Sequence, residues 1–146
     1  MKKLMTITGV LLGLFCSAKY AAAQTTSIQV EVSGIKDQKG TVYIGFYKAG
    51  TAFPAAGKQS FRTSAKPDGK DKLTINIPDV EPGDYALAIY QDINNNGKLD
   101  KNFIGIPKEP YAFSNNFHPK MSAPKFEDCK ITVSASSREF AVSLIH

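Results

Sequence analysis

Oxygen-bearing side chains recur at alternate positions in one short stretch of the chain, between positions 92 and 100. These side chains belong to Asp92, Asn94, Asn96 and Asp100. Gly97 follows directly after the third of them and permits a sharp turn. Calcium takes six to eight oxygen ligands, and alternate side chains around such a turn can point at one ion. The stretch therefore predicts a calcium loop with the candidate ligands Asp92, Asn94, Asn96, the Lys98 carbonyl and Asp100.

This loop departs from an EF-hand in its charge and in its surroundings. The position at which an EF-hand carries its bidentate glutamate is occupied by Phe103, and no helical pattern flanks the loop. Only two carboxylates are present, which predicts weak binding unless Glu109 or Asp84 also contributes. A plain turn is the competing interpretation, because asparagine and glycine both tolerate positive φ. Under either interpretation the role of the loop is structural.

Aromatic residues are concentrated in the segment that follows this loop. Tyr111, Phe113 and Phe117 lie close together, after two prolines that stiffen the chain. They could plug an open end of the fold as part of its core. Alternatively, Tyr111 and Phe113 could form an exposed platform that binds a sugar or a peptide, with Asn115 and Asn116 supplying hydrogen bonds.

The sequence contains little that could support catalysis. His118 and His146 are the only histidines, and neither a nucleophile elbow nor a glycine-rich phosphate loop occurs. Asp92 and Asp100 could lie near each other, which is the least that a hydrolase acting through loop carboxylates would need. We therefore expect a protein that is not an enzyme, with a hydrolase as the weaker alternative.

The rest of the chain alternates apolar and polar residues with the period of two that half-buried strands show. Six stretches have this pattern, at residues 28–32, 42–47, 73–77, 85–90, 131–133 and 140–144. Each stretch is apolar on one face only, so a second sheet must cover that face. The sequence predicts an antiparallel β-sandwich of about seven strands, immunoglobulin-like or transthyretin-like (prealbumin-like).

Three connections between these stretches carry further predictions. Residues 48–72 are rich in glycine, proline and lysine, which indicates a solvated, mobile connection that Phe53 and Phe61 pin to the core, with an anion-binding patch as the alternative. Residues 134–137 read Ser-Ala-Ser-Ser and predict a hairpin between the last two strands. Tyr85 follows a tight turn at the start of a strand, where it could be a corner tyrosine or simply a core aromatic.

The N-terminal residues 1–23 have the layout of a secretory signal peptide. Two lysines precede an apolar run that is too short to span a membrane, and a small-residue motif ends at Ala23. We predict cleavage there, which leaves a single domain at 24–146, exported to the periplasm or secreted. Loss of three lysines would lower the net charge from +5 to +2, so no basic footprint for nucleic acid remains. Cys129 would have no disulfide partner, and we expect a small, half-buried residue rather than a reactive thiol.

Four motifs together carry a resemblance to a known family. They read PGDYA from Pro82, YQDINNNGKLD from Tyr90, GIPKEPY from Gly105 and FSNN from Phe113. In these motifs the chain resembles the small secreted bacterial proteins catalogued as domain of unknown function 2141. The resemblance implies export and a sandwich-like domain, and it implies no mechanism. That family often has a histidine before the loop aspartate, where this chain has Gln91. The envelope or extracellular partner, a sugar or a protein, is left open.

Overall fold

A computed structural model of the protein describes residues 24–146, so the predicted signal peptide at 1–23 lies outside the described residues. Within this range the chain forms eight strands and two short 3₁₀ turns. The strands are β1 (Thr26–Ser33), β2 (Thr41–Lys48), β3 (Phe61–Ala65), β4 (Lys72–Val80), β5 (Gly83–Asp92), β6 (Tyr111–Phe113), β7 (Lys130–Val133) and β8 (Glu139–Ser143). The predicted all-β fold is confirmed, and each of the six alternating stretches corresponds to one strand.

The strands form two sheets. The three-stranded sheet has the order β4-β1-β8, and the five-stranded sheet has the order β3-β2-β5-β6, with β7 also paired to β5. All pairs are antiparallel except β1 with β8, which is parallel. The two sheets therefore form a largely antiparallel sandwich, with one strand more than the seven expected.

The core lies between the two sheets and consists of the inward-facing residues of each alternating strand. Its members are almost fully removed from solvent, as the alternation predicts. They include Val30 and Val32 of β1, Ile44 and Phe46 of β2, Ile75 of β4, Leu87 and Ile89 of β5, and Val142 of β8. This burial is the main driving force for folding, and it fixes which face of each strand points outward.

Tyr85 combines the two roles that the sequence left open. Its side chain is 1% exposed and packs edge-on against Phe46 and Phe61. Its hydroxyl donates to the carbonyl oxygen of Glu81, four residues upstream, at 3.0 Å. This is the hydrogen bond of a tyrosine corner, so Tyr85 is both a core aromatic and a corner residue.

The connection at 48–72 is more ordered than its composition indicates. Its segment Phe61–Ala65 is β3, an edge strand that pairs with β2 and that the sequence did not predict, whereas the expected packing of Phe61 against the core is confirmed. Phe61 stacks on Phe46 with ring centroids 4.4 Å apart. That contact fastens the edge strand to the core.

The predicted hairpin between the last two strands is also wrong. Ser134 and Ser137 do form a tight turn, with their backbone groups hydrogen-bonded to each other at 3.1 and 3.3 Å. However, β7 pairs with β5 and β8 pairs with β1, so the turn carries the chain from one sheet to the other. A turn of this kind can form a hairpin or, as here, connect strands of two different sheets.

One end of the sandwich gathers the segments that matter for the site. Strand β5 ends there at Asp92, opposite the first residue of β2, Thr41. The loops at 34–40, 66–71 and 93–110 and the C-terminal residues all lie at this end, which we call the Asp92 end. No helix in the 24–146 range has the length and apolar character needed to cross a membrane.

Candidate functional site

Asp92 organises the loop that follows β5. Its side chain is completely buried, and its two carboxylate oxygens accept from the backbone N–H groups of Asn96 at 3.1 Å and Gly97 at 2.7 Å. A buried carboxylate is costly unless hydrogen bonds replace its lost water, and these two bonds do so. Asp92 therefore closes the tight turn from inside and does not face the solvent.

Asn94, Asn96 and Asp100 form a hydrogen-bonded cluster on the outside of the same turn. The side-chain oxygens of Asn94 and Asn96 accept from backbone N–H groups two residues further on, at 3.0 and 2.9 Å. Their amide nitrogens donate to the carboxylate of Asp100 at 2.7 to 3.1 Å. These bonds, Asn96 first and then Asn94, lower the pKa of Asp100, so the carboxylate is charged at neutral pH.

Glu109 closes the loop from the other side. Its side chain is 7% exposed, and its two carboxylate oxygens accept from the backbone N–H groups of Ile93 and Asp100, each at 2.9 Å. The glutamate thus joins the two ends of the loop, as the sequence analysis allowed. Asp84 does not take part, because its carboxylate accepts from the hydroxyl of Thr132 at 2.7 Å.

Gln91, the residue before Asp92, fixes a neighbouring loop. Its side chain is completely buried, and its amide nitrogen donates to the carbonyl oxygens of Asp37 at 2.6 Å and Lys39 at 2.9 Å. Its own side-chain oxygen has no hydrogen-bond partner among the described residues. Gln91 is therefore a structural residue that holds the 34–40 loop against the end of β5.

Of the five predicted calcium ligands, Asn94, Asn96 and Asp100 contact one another, whereas both Asp92 oxygens accept from backbone N–H groups. Within the described part of the chain, no group of three or more histidine, cysteine, aspartate or glutamate side chains could hold a metal ion. Calcium also takes amide and carbonyl oxygens, which this loop offers at Asn94, Asn96 and Lys98. The calcium site stays a prediction.

A row of three tyrosines crosses the outer face of the five-stranded sheet, next to this loop. Tyr43 of β2 pairs directly with Tyr90 of β5, and Tyr90 pairs directly with Tyr111 of β6. Directly paired residues point to the same side of a sheet, and the neighbours of all three in sequence are buried in the core. All three side chains are half-buried, so each ring keeps part of its surface in solvent.

Two rings of this tyrosine row are stacked on each other. Tyr43 and Tyr90 are stacked with centroids 5.2 Å apart, and the guanidinium of Arg62 on β3 lies over the Tyr43 ring at 5.5 Å. Burial, and next the charge of Asp92, raise the pKa of Tyr90. The Tyr90 hydroxyl donates to the Gly97 carbonyl at 3.4 Å, which ties the tyrosine row to the asparagine-rich loop.

Tyr111 and Phe113 lie on this outer face and not between the sheets. Ala112, between them, points into the core and is 1% exposed. The ring of Phe113 contacts Tyr111 and Phe53 edge-on, with centroids 5.9 Å away in both pairs. The two aromatics predicted as a platform therefore extend the tyrosine row.

The two asparagines assigned to the same platform have structural partners. Asn115 donates its amide to the carbonyl oxygen of Lys130 at 2.9 Å, and the Asn116 side-chain oxygen accepts from the backbone N–H of Ser143 at 2.8 Å. Both have positive φ in the 3₁₀ turn after β6. They fasten the turn after β6 to β7 and β8.

Sequence reasoning missed the contribution of Tyr43, Tyr90 and Arg62 to this face. The alternation already placed Tyr43 and Tyr90 on the outward side of their strands, opposite the core residues. What it could not supply was the register, which brings Tyr43 opposite Tyr90 and Tyr90 opposite Tyr111.

Cys129 is buried more deeply than the half-buried position that the sequence predicts. It is completely buried, and its carbonyl oxygen accepts from the hydroxyl of Ser114, which itself accepts from the backbone N–H of Leu87 at 2.8 Å. Burial, with a smaller contribution from the charge of Asp128, raises the pKa of the thiol from 9.0 to about 12. The thiol is protonated and inaccessible at neutral pH.

We expect Cys129 to resist a thiol-specific disulfide reagent at pH 8 in the native protein and to react at once in denaturant. Since the folded pKa lies above the unfolded one, this group favours the folded state fully below pH 9, and its contribution declines from there to about pH 12. Absorbance of the released thiolate, with and without denaturant, measures the reactivity. Rapid reaction without denaturant would contradict the buried position.

Comparison with known proteins identifies one family. Residues 30–141 match the model of the family described as "Uncharacterized protein conserved in bacteria (DUF2141)". No curated protein and no solved structure matches the chain. The match covers most of the chain, so the protein belongs to this family.

Proposed function

We propose that this member of the DUF2141 family is an exported, non-enzymatic binding module of the bacterial envelope, and that it binds carbohydrate on the outer face of its five-stranded sheet. The observation that carries the proposal is the row of Tyr43, Tyr90 and Tyr111, paired across three neighbouring strands with part of each ring exposed. Export is supported by the N-terminal sequence pattern at residues 1–23.

The chemistry of this face suits a sugar better than a charged or purely apolar ligand. Aromatic faces carry partial negative charge, so the C–H groups on the apolar side of a sugar ring pack favourably against them. Tyrosine hydroxyls and the exposed Asn94, Asn95 and Asn96 beside Tyr90 offer donors and acceptors for sugar hydroxyls. The same residues could bind a peptide, but a peptide favours an open strand edge or an apolar groove.

A non-enzymatic role is supported by how the buried carboxylates are used. Both oxygens of Asp92 and both oxygens of Glu109 accept from backbone N–H groups inside the loop. A hydrolase acting through Asp92 would have to uncover this fully buried side chain and release its two bonds. A calcium ion, if one binds, would stabilise the loop beside the tyrosine row and take no part in a reaction.

We expect Tyr90→Ala and Tyr111→Ala each to weaken glycan binding at least about tenfold, because each removes one aromatic contact surface. An array of soluble oligosaccharides and peptidoglycan fragments identifies the probe, and titration calorimetry then measures its Kd. Circular dichroism checks that the variants keep their strand content.

Phe103→Ala is the matched control, since it removes an exposed aromatic ring away from the tyrosine row. It should leave the glycan affinity unchanged. Glycan binding that survives both tyrosine substitutions would overturn the assignment to this face. A chain that binds no glycan on the array would overturn the carbohydrate proposal.

A further inference from the structure

The segment between Asp100 and Lys108 forms a small hairpin whose tip is apolar and exposed. Phe103 is 99% exposed, Ile104 65% and Ile106 53%. Scattered single apolar residues on a surface are common, but three within four positions at the tip of one loop form a contiguous apolar patch. We call residues 100–108 the tip hairpin.

The backbone of the tip hairpin is firmly closed. Lys101 bridges to Pro107, and the backbone N–H of Lys108 donates to the carbonyl oxygen of Asp100 at 2.8 Å. The base of the hairpin is fixed by Glu109, which accepts from the N–H of Asp100. The apolar side chains are therefore presented by a rigid loop.

Three of the four backbone N–H groups at residues 103–106 are paired inside the hairpin. The Asn102 side-chain oxygen accepts from the N–H groups of Ile104 at 3.1 Å and Ile106 at 2.9 Å. The N–H of Gly105 donates to the Asn102 carbonyl at 3.0 Å, and the N–H of Asn102 donates to the Ile106 carbonyl at 2.8 Å. Pairing of these N–H groups lowers the cost of moving the tip into the interfacial region of a bilayer.

Three exposed lysines surround this apolar tip. Lys98, Lys101 and Lys108 flank it in sequence, and no carboxylate among residues 24–146 forms an ion pair with any of them. Asp92 and Glu109 are buried in the loop, so Asp100 is the one acidic side chain at the base of the hairpin that solvent reaches. Lys98, Lys101 and Lys108, which we call the lysine collar, therefore outweigh Asp100 and give this part of the surface a net positive charge.

We infer that the tip hairpin inserts Phe103, Ile104 and Ile106 into the surface of an anionic phospholipid bilayer, with the lysine collar at the headgroups. Apolar burial at the interface and attraction to anionic lipids add together in this kind of binding. The charge complementarity selects a negatively charged bilayer and not a neutral one. This inference goes beyond the proposed glycan site, because the tip hairpin and the tyrosine row use different residues.

The chain contains no tryptophan, so a single Phe103→Trp substitution places one fluorescent probe at the tip. We expect its emission to shift to the blue, and to be quenched by brominated lipid, on vesicles of phosphatidylglycerol mixed with phosphatidylcholine. Pure phosphatidylcholine vesicles should have a much smaller effect. Met121→Trp is the matched control at another fully exposed apolar position, and its emission should not change.

The charge requirement is tested by changing Lys98, Lys101 and Lys108 to glutamine together. We expect partitioning onto anionic vesicles, measured by co-sedimentation, to fall on the order of a hundredfold, since each lysine near the surface contributes about fivefold. A triple change of the exposed Lys58, Lys120 and Lys125 to glutamine alters the net charge equally and should have much less effect.

Two results would overturn the inference. One is a Phe103→Trp probe whose emission does not shift on anionic vesicles, which is the result expected if the tip binds a protein. The other is an equal loss of vesicle binding in the two triple lysine variants. The substituted tip and lysine side chains are exposed, so the variants should fold. Tyr111→Ala should retain vesicle binding, which separates failure of this inference from failure of the proposed glycan site.

Discussion

Gly40→Ala should destabilise the protein by about 3–5 kcal/mol, a large part of the 5–15 kcal/mol typical of a domain. Gly40 precedes β2 with a φ of +76°, in the left-handed region that side chains disfavour. A Cβ atom there would lie 1.9 Å from the carbonyl oxygen of Asp92 and 2.6 Å from the Cα of Ile93. Because both neighbours are backbone atoms at the paired end of β5, neither can move without disturbing the sheet.

Gly57→Ala provides the matched control for this substitution. Gly57 has nearly the same φ, +75°, but no atom lies within 4 Å of the position that its Cβ would take. Its replacement should cost only the backbone strain, about 1–2 kcal/mol. Urea denaturation measures both free energies of unfolding. Equal losses for the two variants would contradict the close approach of the 34–40 loop to β5.

The clearest success of sequence reasoning was in strands whose two faces differ in polarity. In β1, for example, Ile28, Val30 and Val32 enter the core while Gln29 and Glu31 remain partly exposed. The alternation of apolar and polar residues predicts such a strand because one of its faces is buried and the other is in contact with solvent. Strand β3 was missed because Arg62, Thr63 and Ser64 at its centre carry no apolar pattern. Its conformation depends on pairing with β2, which is information outside the segment.

Which strands pair with each other was also hard to predict, because pairing depends on residues that are far apart in the sequence. The turn at Ser134–Ser137 has the composition and the hydrogen bonds of a hairpin, yet the next strand belongs to the other sheet. Local chemistry determines that the chain turns, whereas the distribution of apolar surface over the whole fold determines which strand pairs with which. Prediction from sequence therefore found six of the eight strands in the described part of the chain and mistook the connection between the last two.

In the candidate site, too, the features that depend on neighbouring residues were predicted, and those that depend on distant residues were not. The alternating oxygens and Gly97 identified the loop after β5, because the spacing of a tight turn is local. The tyrosine row depends on the register of three strands, and the closure of the loop by Glu109 depends on a contact sixteen residues away from Ile93. Residues whose roles depend on pairing could be placed on a face of a strand from the sequence, but not opposite one another.

The second large effect is expected for Asp92→Ala, which should cost about 2–4 kcal/mol and release the loop. The substitution leaves the N–H of Gly97 without its acceptor, leaves the N–H of Asn96 with only the Asn94 side-chain oxygen, and empties a fully buried position. Asp92→Asn keeps one acceptor oxygen but turns an amide N–H₂ toward a backbone N–H, so its cost should be intermediate. Urea denaturation measures the loss, and amide hydrogen exchange should show faster exchange at Asn96 and Gly97.

Asp100→Ala is the control for Asp92→Ala within the same loop. The Asp100 carboxylate accepts only from the side-chain amides of Asn94 and Asn96, which water can replace at this partly exposed position. Its loss should therefore change stability much less and leave Asn96 and Gly97 protected from exchange. If instead Asp100→Ala destabilises the protein as much as Asp92→Ala, the loop depends on its outer cluster. The buried carboxylate would then not be what determines its shape.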